Sequence, residues 1–153
     1  MSSPSIPAHD DPLPFGTLLR ISYTALTRRV WEAYAAAGFD DLRPAHEVIF
    51  RVLAPEGDRV TGLAARAGIT KQAISPLVAH LVRHGYLDRA PDPTDHRAHL
   101  IRRTERGWAV RRTAQRAGEQ VRAEWASQLG EEPMRLLLEQ LRSLAELVER
   151  QPH

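Results

Sequence analysis

Residues 68–85, GITKQAISPLVAHLVRHG, place several groups that can contact DNA bases along one short stretch of chain. Lysine can donate hydrogen bonds to guanine O6 and N7, and glutamine can bond adenine N6 and N7 at the same time. Lys71, the only lysine of the chain, and Gln72 supply these two groups. The small residues Ala73 and Ser75 can contact a thymine methyl group. The stretch therefore predicts a helix that contacts base edges in the major groove.

The same stretch has the pattern of an amphipathic helix. Thr70 can cap its first turn, and Gly85 is a suitable end. Apolar residues recur every three or four positions and predict an inner face formed by Ile74, Leu77, Val78, Leu81 and Val82. The predicted DNA contacts of this helix are Thr70, Lys71, Gln72, Ala73, Ser75, Pro76, His80 and Arg83.

Pro76 is unusual in this helix, because a proline in a helix interior removes a hydrogen bond and costs about 3 kcal/mol. It lies six residues after the predicted cap Thr70, and the carbonyl that loses its partner is that of Gln72. We interpret Pro76 as a tolerated kink. The alternative is a functional bend that directs residues 71–75 into the groove.

His80 and His84 have the i, i+4 spacing of a helical zinc pair. No HExxH glutamate and no obvious third ligand accompany them, so we interpret them as solvent or phosphate contacts and predict neither a metal site nor a cofactor. The chain has no cysteine, which excludes disulfides, thiolate nucleophiles and thiol redox sensing. No Ser/His/Asp arrangement, glycine-rich phosphate loop or carboxylate pair is evident, and we do not expect an enzyme.

Other helices must hold this segment in place. Apolar residues at helical spacing over residues 14–37 predict one long helix, and a second helix follows Pro44 and stops before Pro55. Thr61 is predicted to cap a short third helix, for which Gly68 is the C-terminal stop.

Two strand-like runs, YLDRA and AHLIRRT, follow the amphipathic segment and are joined by PDPTDHR, which predicts a β-hairpin with an extended connection. Thr104 can then cap a further long helix, and Pro133 begins the last one. The wide apolar side of the last helix comprises Met134, Leu137, Leu138, Leu141, Leu144 and Val148, with Leu136 and Leu147 beside it. Such a face on a terminal helix predicts burial against a second copy of the chain.

Charge is distributed unevenly along the chain, whose net charge is +2. Residues 59–116 contain twelve basic and four acidic residues, a local excess of eight positive charges. A local basic excess favours contact with a polyanion, and a solvated basic surface is the alternative.

The N-terminal segment MSSPSIPAHDDPLP has neither the basic nor the apolar region of a signal peptide. No apolar run of the chain approaches the ~18 residues that a membrane helix needs. We therefore expect a flexible tail over residues 1–13, a cytoplasmic location and no membrane partner.

Two short helices joined by AGI, followed by a hairpin with a basic tip, have the element order of a winged helix-turn-helix. Residues 60–107 resemble the DNA-binding lobe of the MarR family of bacterial transcription regulators in motif order and spacing. The segments that carry the resemblance are ITKQAISPLVAHL, GYLDR, DPTDHRAH and TERG.

The resemblance implies a mainly α fold with a small β-hairpin wing, in a single domain over residues 14–153. Within this domain it implies a DNA-binding winged-helix lobe over about residues 44–103. Long dimerisation helices are expected over about residues 14–37 and 104–150.

The resemblance also assigns residues of the wing. It makes Arg97 the residue that enters the minor groove, held in place by Asp95, and narrow A·T-rich grooves attract arginine. His96, a further predicted DNA contact, stands where the family more often has arginine, which implies weaker wing binding at alkaline pH. Arg103 replaces the apolar residue that the family usually has before Thr-Glu, and we expect it to contact an acid or a phosphate.

Four aromatic residues on the first two helices could border the effector cleft that the family places between the dimer helices and the DNA-binding lobe. These residues are Trp31, Tyr34, His46 and Phe50. The alternative is that they are core residues, since aromatic side chains at helical spacing usually belong to a core.

The function implied by the resemblance is that of a homodimeric repressor, which binds double-stranded DNA at a palindromic operator and is released by a small-molecule effector. Its two half-sites would lie about one helical turn, ~34 Å, apart. The alternative is a winged-helix module for protein contact or dimerisation, which predicts no salt-sensitive DNA binding.

Overall fold

The computed structural model describes residues 13–150, which form six α-helices and one small antiparallel sheet. The predicted N-terminal tail therefore lies almost entirely outside the described residues. The elements are α1 (Phe15–Ala36), a 3-10 turn (Pro44–His46), α2 (Glu47–Val52), α3 (Val60–Ala67), α4 (Lys71–Arg83), β1 (Leu87–Asp92), β2 (Asp95–Arg103), α5 (Glu105–Leu129) and α6 (Glu131–Glu149). This architecture confirms the predicted mainly α fold with a β-hairpin wing.

The core lies where α2, α3, α4 and the base of the sheet meet. Ile74, Val78 and Leu81 of α4 have no exposed surface, and Leu77 and Val82 are half-buried at the edge of the core. The predicted inner face is therefore confirmed. Full burial of one such side chain contributes about 1.5–3 kcal/mol, so these residues fix α4 on the lobe.

Both ends of the turn between α3 and α4 follow the sequence prediction. Gly68 ends α3 with φ +66°, a left-handed conformation that glycine adopts without a Cβ clash. The Thr70 hydroxyl then accepts a hydrogen bond from the Ala73 amide at 3.1 Å and caps α4. This bond satisfies one of the amides left free at the start of the helix.

The predicted cap of α3 was wrong. The helix begins at Val60, so Thr61 lies in its first turn, and the N-cap is Arg59 without a side-chain cap. Asp58 bonds the Arg59 amide at 2.7 Å and pairs with Ile101 in an isolated β-bridge. This distant pairing fixes the extended backbone before Val60, and the helix therefore starts before the threonine.

The two predicted strands are present, but their connection is shorter than predicted. The pairing begins at the base of the hairpin, where Leu87 lies opposite Arg103, and its register becomes irregular at Pro91 and Asp92. Only Pro93 and Thr94 separate the two strands. The Asp92 carboxylate accepts bonds from the Thr94 amide and hydroxyl at 2.8 and 2.7 Å. These bonds close the turn, and residues expected in a loop therefore belong to the strands.

The long helices α1, α5 and α6 pack beside the lobe, α1 on α5 and α5 on α6. Two hydrogen bonds of 2.7 Å between Arg29 and Glu124 join α1 to α5. Large apolar side chains remain exposed on the outer helices: Phe15, Leu18, Leu19, Ile21 and Tyr23 on α1, and Leu136, Leu137, Leu141, Leu144, Leu147 and Val148 on α6. Met134, predicted on the same side of α6, is instead buried within the chain. Over residues 13–150, no helix combines the length and the hydropathy required to cross a bilayer.

Candidate nucleic-acid interface

The first half of α4 presents a polar outer face. Lys71, Gln72 and Ala73 are exposed, and Ser75 is half-buried. This face borders an open groove. The groove is lined by Lys71, Gln72, Ser75, Pro76 and Ala79 of α4 and by Arg89 of β1. Arg89 was missed by the sequence analysis.

The hydroxyl groups at the start of α4 are used locally. Thr70 caps the helix, and the Ser75 hydroxyl donates to the Lys71 carbonyl at 2.6 Å. α4 is one uninterrupted helix from Lys71 to Arg83 despite Pro76, which agrees with the interpretation of a tolerated proline. Lys71 and Gln72 are consequently the long polar side chains that α4 presents first to a partner.

The structure does not place His80 with these exposed residues. Its Nε2 donates to the Asp41 carbonyl at 2.9 Å, and its ring stacks between those of His46 and His84, with centroids at 4.4 and 4.1 Å. The His80 and His84 rings lie face to face instead of converging on one point, so their spacing does not form a zinc pair here. His80 is a contact between α4 and the segment that follows α1.

His46 is the buried member of this stack. Its Nδ1 accepts a bond from the Arg43 amide at 3.0 Å, which requires the nitrogen to be unprotonated. Burial, and then the neighbouring His80 and Arg43, lower the pKa of His46 below its ordinary value of 6.5. His46 is therefore held in the neutral form at neutral pH.

The wing tip presents Arg97 and His96 to solvent, and both side chains are exposed. Asp95 Oδ1 accepts a hydrogen bond from the Arg97 amide at 3.1 Å. Asp95, the predicted supporting residue, thus contacts the main chain of Arg97, and the Arg97 guanidinium remains free to contact a partner.

Asp92 supports the wing in a way that the sequence analysis missed. Its side chain is nearly buried and accepts two bonds from Thr94. It also accepts a hydrogen bond from Arg59 Nε at 2.8 Å and forms an ion pair with Arg59 Nη2 at 2.6 Å. The bonds from Thr94, and then the one from Arg59, lower the pKa of Asp92 to about 2. The carboxylate is therefore ionised whenever the wing is folded at ordinary pH.

The expectation that Arg103 contacts an acid or a phosphate was wrong. Arg103 is only 8 % exposed, and its guanidinium donates to the carbonyl of Phe50 in α2 at 2.6 Å and to that of Ala54, just after α2, at 3.4 Å. It also lies over the Trp108 ring, 5.1 Å from the centroid. Burial, and then Arg111, lower its pKa. Carbonyl oxygens can replace water around a buried cation, which is how this position accommodates a charge.

The four residues predicted to border an effector cleft do come together. Trp31, Tyr34, His46 and Phe50 line one small cavity of about 20 Å³, which is room for a single water molecule. Tyr34 and Phe50 also line a neighbouring open cleft of about 580 Å³, between α2 and α5. Burial, and then Glu47, raise the pKa of Tyr34 to about 12, so its phenol stays neutral. The four residues therefore share one small cavity, and Tyr34 and Phe50 also form part of the wall of a ligand-sized cleft.

A helix with an exposed polar first half, a preceding helix packed against it, and a hairpin with an arginine at its tip define a winged helix-turn-helix protein. The model of the MarR family matches residues 41–98, which run from before α2 to within β2. This part of the chain is therefore similar to the MarR family, whose members are transcription regulators and not enzymes.

Solved structures of such regulators resemble almost the whole chain. Transcriptional regulator Tm0710 from Thermotoga maritima is 26 % identical, with 91 % of this chain and 96 % of that chain covered and a TM-score of 0.66. CouR from Rhodococcus jostii RHA1, solved bound to p-coumaroyl-CoA, is 25 % identical, with coverages of 87 % and 92 % and a TM-score of 0.61. Wild-type apo MarR from E. coli shares the fold at 20 % identity, with coverages of 88 % and 98 % and a TM-score of 0.65. No curated protein has a matching sequence.

Proposed function

We propose that two copies of this chain bind one DNA duplex at a palindromic operator and thereby repress transcription. The observation that carries the proposal is the outer face of α4, where Lys71 and Gln72 are exposed at the helix start while the opposite face is fixed in the core. A helix held in this way can enter the major groove without losing its packing.

In this complex Lys71 and Gln72 contact base edges, with Ala73 and Ser75 beside them. Each well-formed base contact contributes about 1–3 kcal/mol of discrimination against the wrong base. Arg83, at the other end of α4, and Arg89 of β1 are exposed, and we assign them contacts with the flanking phosphates. Phosphate contacts of this kind supply affinity and a strong dependence on salt.

The wing extends the contact to the minor groove, where Arg97 is the inserted residue and His96 lies beside it. The free guanidinium of Arg97 and its ordered main chain support this assignment. A narrow, A·T-rich minor groove concentrates negative potential, so the sequence preference at this position would come mainly from groove width.

A homodimer explains the exposed apolar side chains of α1 and α6. An apolar surface of this extent is unusual on a monomer and marks an interaction site. A two-fold axis through paired helices would place two copies of α4 about one helical turn apart, ~34 Å, and a palindromic operator follows from that symmetry.

A small-molecule effector would control this complex. The open cleft between α2 and α5 has a volume in the range of ligand sites, and α2 directly precedes α3 and α4, the two helices of the helix-turn-helix. The complex of CouR with p-coumaroyl-CoA supports ligand binding in a related regulator. A ligand that binds better to a conformation unable to span both half-sites would release the operator.

The test is selection of bound duplexes from a random pool, with binding then measured at several salt concentrations. We expect a recovered palindrome and an affinity that falls steeply with salt. Light scattering of the free protein is expected to give the mass of a dimer. Recovery of no duplex above background would favour a protein-contact module, and a monomeric mass would contradict the two-half-site geometry.

A further inference from the structure

The tip of the wing is connected to the rest of the lobe by one arginine. Arg59, at the N-cap of α3, donates from Nε to Asp92 Oδ2 at 2.8 Å, and its Nη2 forms an ion pair with the same oxygen at 2.6 Å. Its Nη2 also lies 3.5 Å from Asp95 Oδ2. Arg59 therefore contacts both carboxylates that order the turn, one on each strand.

The hairpin needs such a connection. A two-stranded sheet is at best marginally stable alone, and the buried apolar residues of this one, Leu87 and Ile101, lie at its base. Towards the tip, the strand register is irregular between Pro91 and Asp92, and no apolar side chain is buried there. Within residues 13–150, Arg59 makes the ion pairs that join this tip to a helix of the lobe.

Arg59 also changes the charge of the tip. Asp92 and Asp95 are two carboxylates close to the residues proposed to approach phosphates, and they would repel DNA if left unpaired. The Arg59 guanidinium offsets part of this charge because it forms ion pairs with both carboxylates. From Asp95 the connection continues to the Arg97 amide, so one chain of contacts joins α3 to the arginine of the wing.

We propose that Arg59 is the positioning residue for the wing, and that it sets where Arg97 lies relative to α4. This inference rests on the proposed function, since it names the residue through which one of the DNA contacts is placed. Arg59 acts through Asp92 and Asp95, and it does not need to touch DNA.

The test is a double-mutant cycle that uses the selected duplex. Arg59→Gln is expected to weaken binding about 5- to 30-fold in the otherwise native protein. In the Arg97→Ala protein the same change is expected to have little further effect, because the contact that Arg59 positions is already absent. An equal loss in both backgrounds would overturn the inference, since it would mean that Arg59 contacts DNA directly or supports the lobe as a whole.

Arg66→Gln is the matched control, because Arg66 lies on the same helix and bonds Asp58 and the Val52 carbonyl without contacting the wing tip. We expect it to affect binding equally in both backgrounds. A second measurement needs no DNA: hydrogen exchange at the Thr94 and Arg97 amides, which donate to Asp92 and Asp95, is expected to quicken in Arg59→Gln and not in Arg66→Gln.

These outcomes distinguish a failure of the proposed DNA-binding function from a failure of the proposed role of Arg59. Failure of the native protein to select any duplex would overturn the proposed function, while amide exchange would still report whether Arg59 holds the tip. Native binding that Arg59→Gln leaves unchanged would overturn only the role of Arg59.

Discussion

The two regions proposed to contact DNA are held in place by different forces. α4 is fixed by burial of Ile74, Val78 and Leu81, whereas the wing tip is fixed by Arg59 and a nearly buried carboxylate. Apolar burial changes little with salt or with proton concentration. Ion pairs weaken as salt rises, and carboxylates lose their partners when they are protonated. The major-groove contact should therefore keep its geometry under conditions that release the wing.

The largest expected effect is on the region fixed by burial. Leu81→Ala removes a side chain without exposed surface and leaves a cavity, which costs about 2–5 kcal/mol of unfolding free energy. Urea unfolding at one fixed protein concentration measures this loss. Leu77→Ala, at a half-buried position of the same helix, is the control, and an equal loss there would contradict the assignment of Leu81 to the centre of the core.

Base recognition should depend on the outer face of the same helix. Lys71→Ala or Gln72→Ala is expected to relax the preference at one base position per half-site by about 1–3 kcal/mol, with folding stability unchanged because both side chains are exposed. Competition between single-base variants of the selected duplex measures the preference. Arg83→Ala is the comparison, since loss of a phosphate contact should weaken all duplexes alike. If the base preferences stay unchanged in both Lys71→Ala and Gln72→Ala, the assignment of α4 to the major groove is wrong.

The wing should contribute affinity more than base preference. Arg97→Ala is expected to weaken binding and to reduce the slope of log affinity against log salt by about 1, with less change in the bases preferred. The control is Arg142→Ala, an exposed arginine on α6. If Arg97→Ala leaves both affinity and salt slope untouched, the assignment of the wing is wrong.

The sequence predicted features that depend on neighbours along the chain. The Thr70 hydroxyl bonds an amide three residues ahead, and Gly68 needs only its own backbone conformation, so both ends of the α3–α4 turn were predictable. Thr61 failed as a cap because the start of α3 is set by pairing with Ile101, far along the chain. A local motif cannot indicate that a distant strand fixes the preceding residue.

Charged residues that find partners across the fold were the least predictable part of the site. Arg59 bonds Asp92, and Arg103 bonds the Phe50 carbonyl, at sequence separations of 33 and 53 residues. Spacing carries no signal for such pairs, because many acceptors could lie within reach of a long side chain. His80 shows the same limit, since its helical position suggested an outer face while the Asp41 carbonyl holds its ring inward.

Acid should loosen the wing while α4 stays packed. The pKa of Asp92 is about 2 in the folded chain against an ordinary value of 3.8, so the unfolded chain takes up the proton first as pH falls. Its stabilising effect is therefore complete above pH 3.8 and is lost as pH falls towards 2. Asp92→Asn is expected to be less stable than the native protein at pH 7, by a margin that narrows below about pH 4. Urea unfolding of both proteins, at pH 7 and below about pH 4, measures this difference in unfolding free energy. In contrast, the loss of unfolding free energy caused by Leu81→Ala should be the same at the two pH values. A margin for Asp92→Asn that does not change with pH would mean that its carboxylate holds the wing only weakly, and the two regions would then be fixed by the same force.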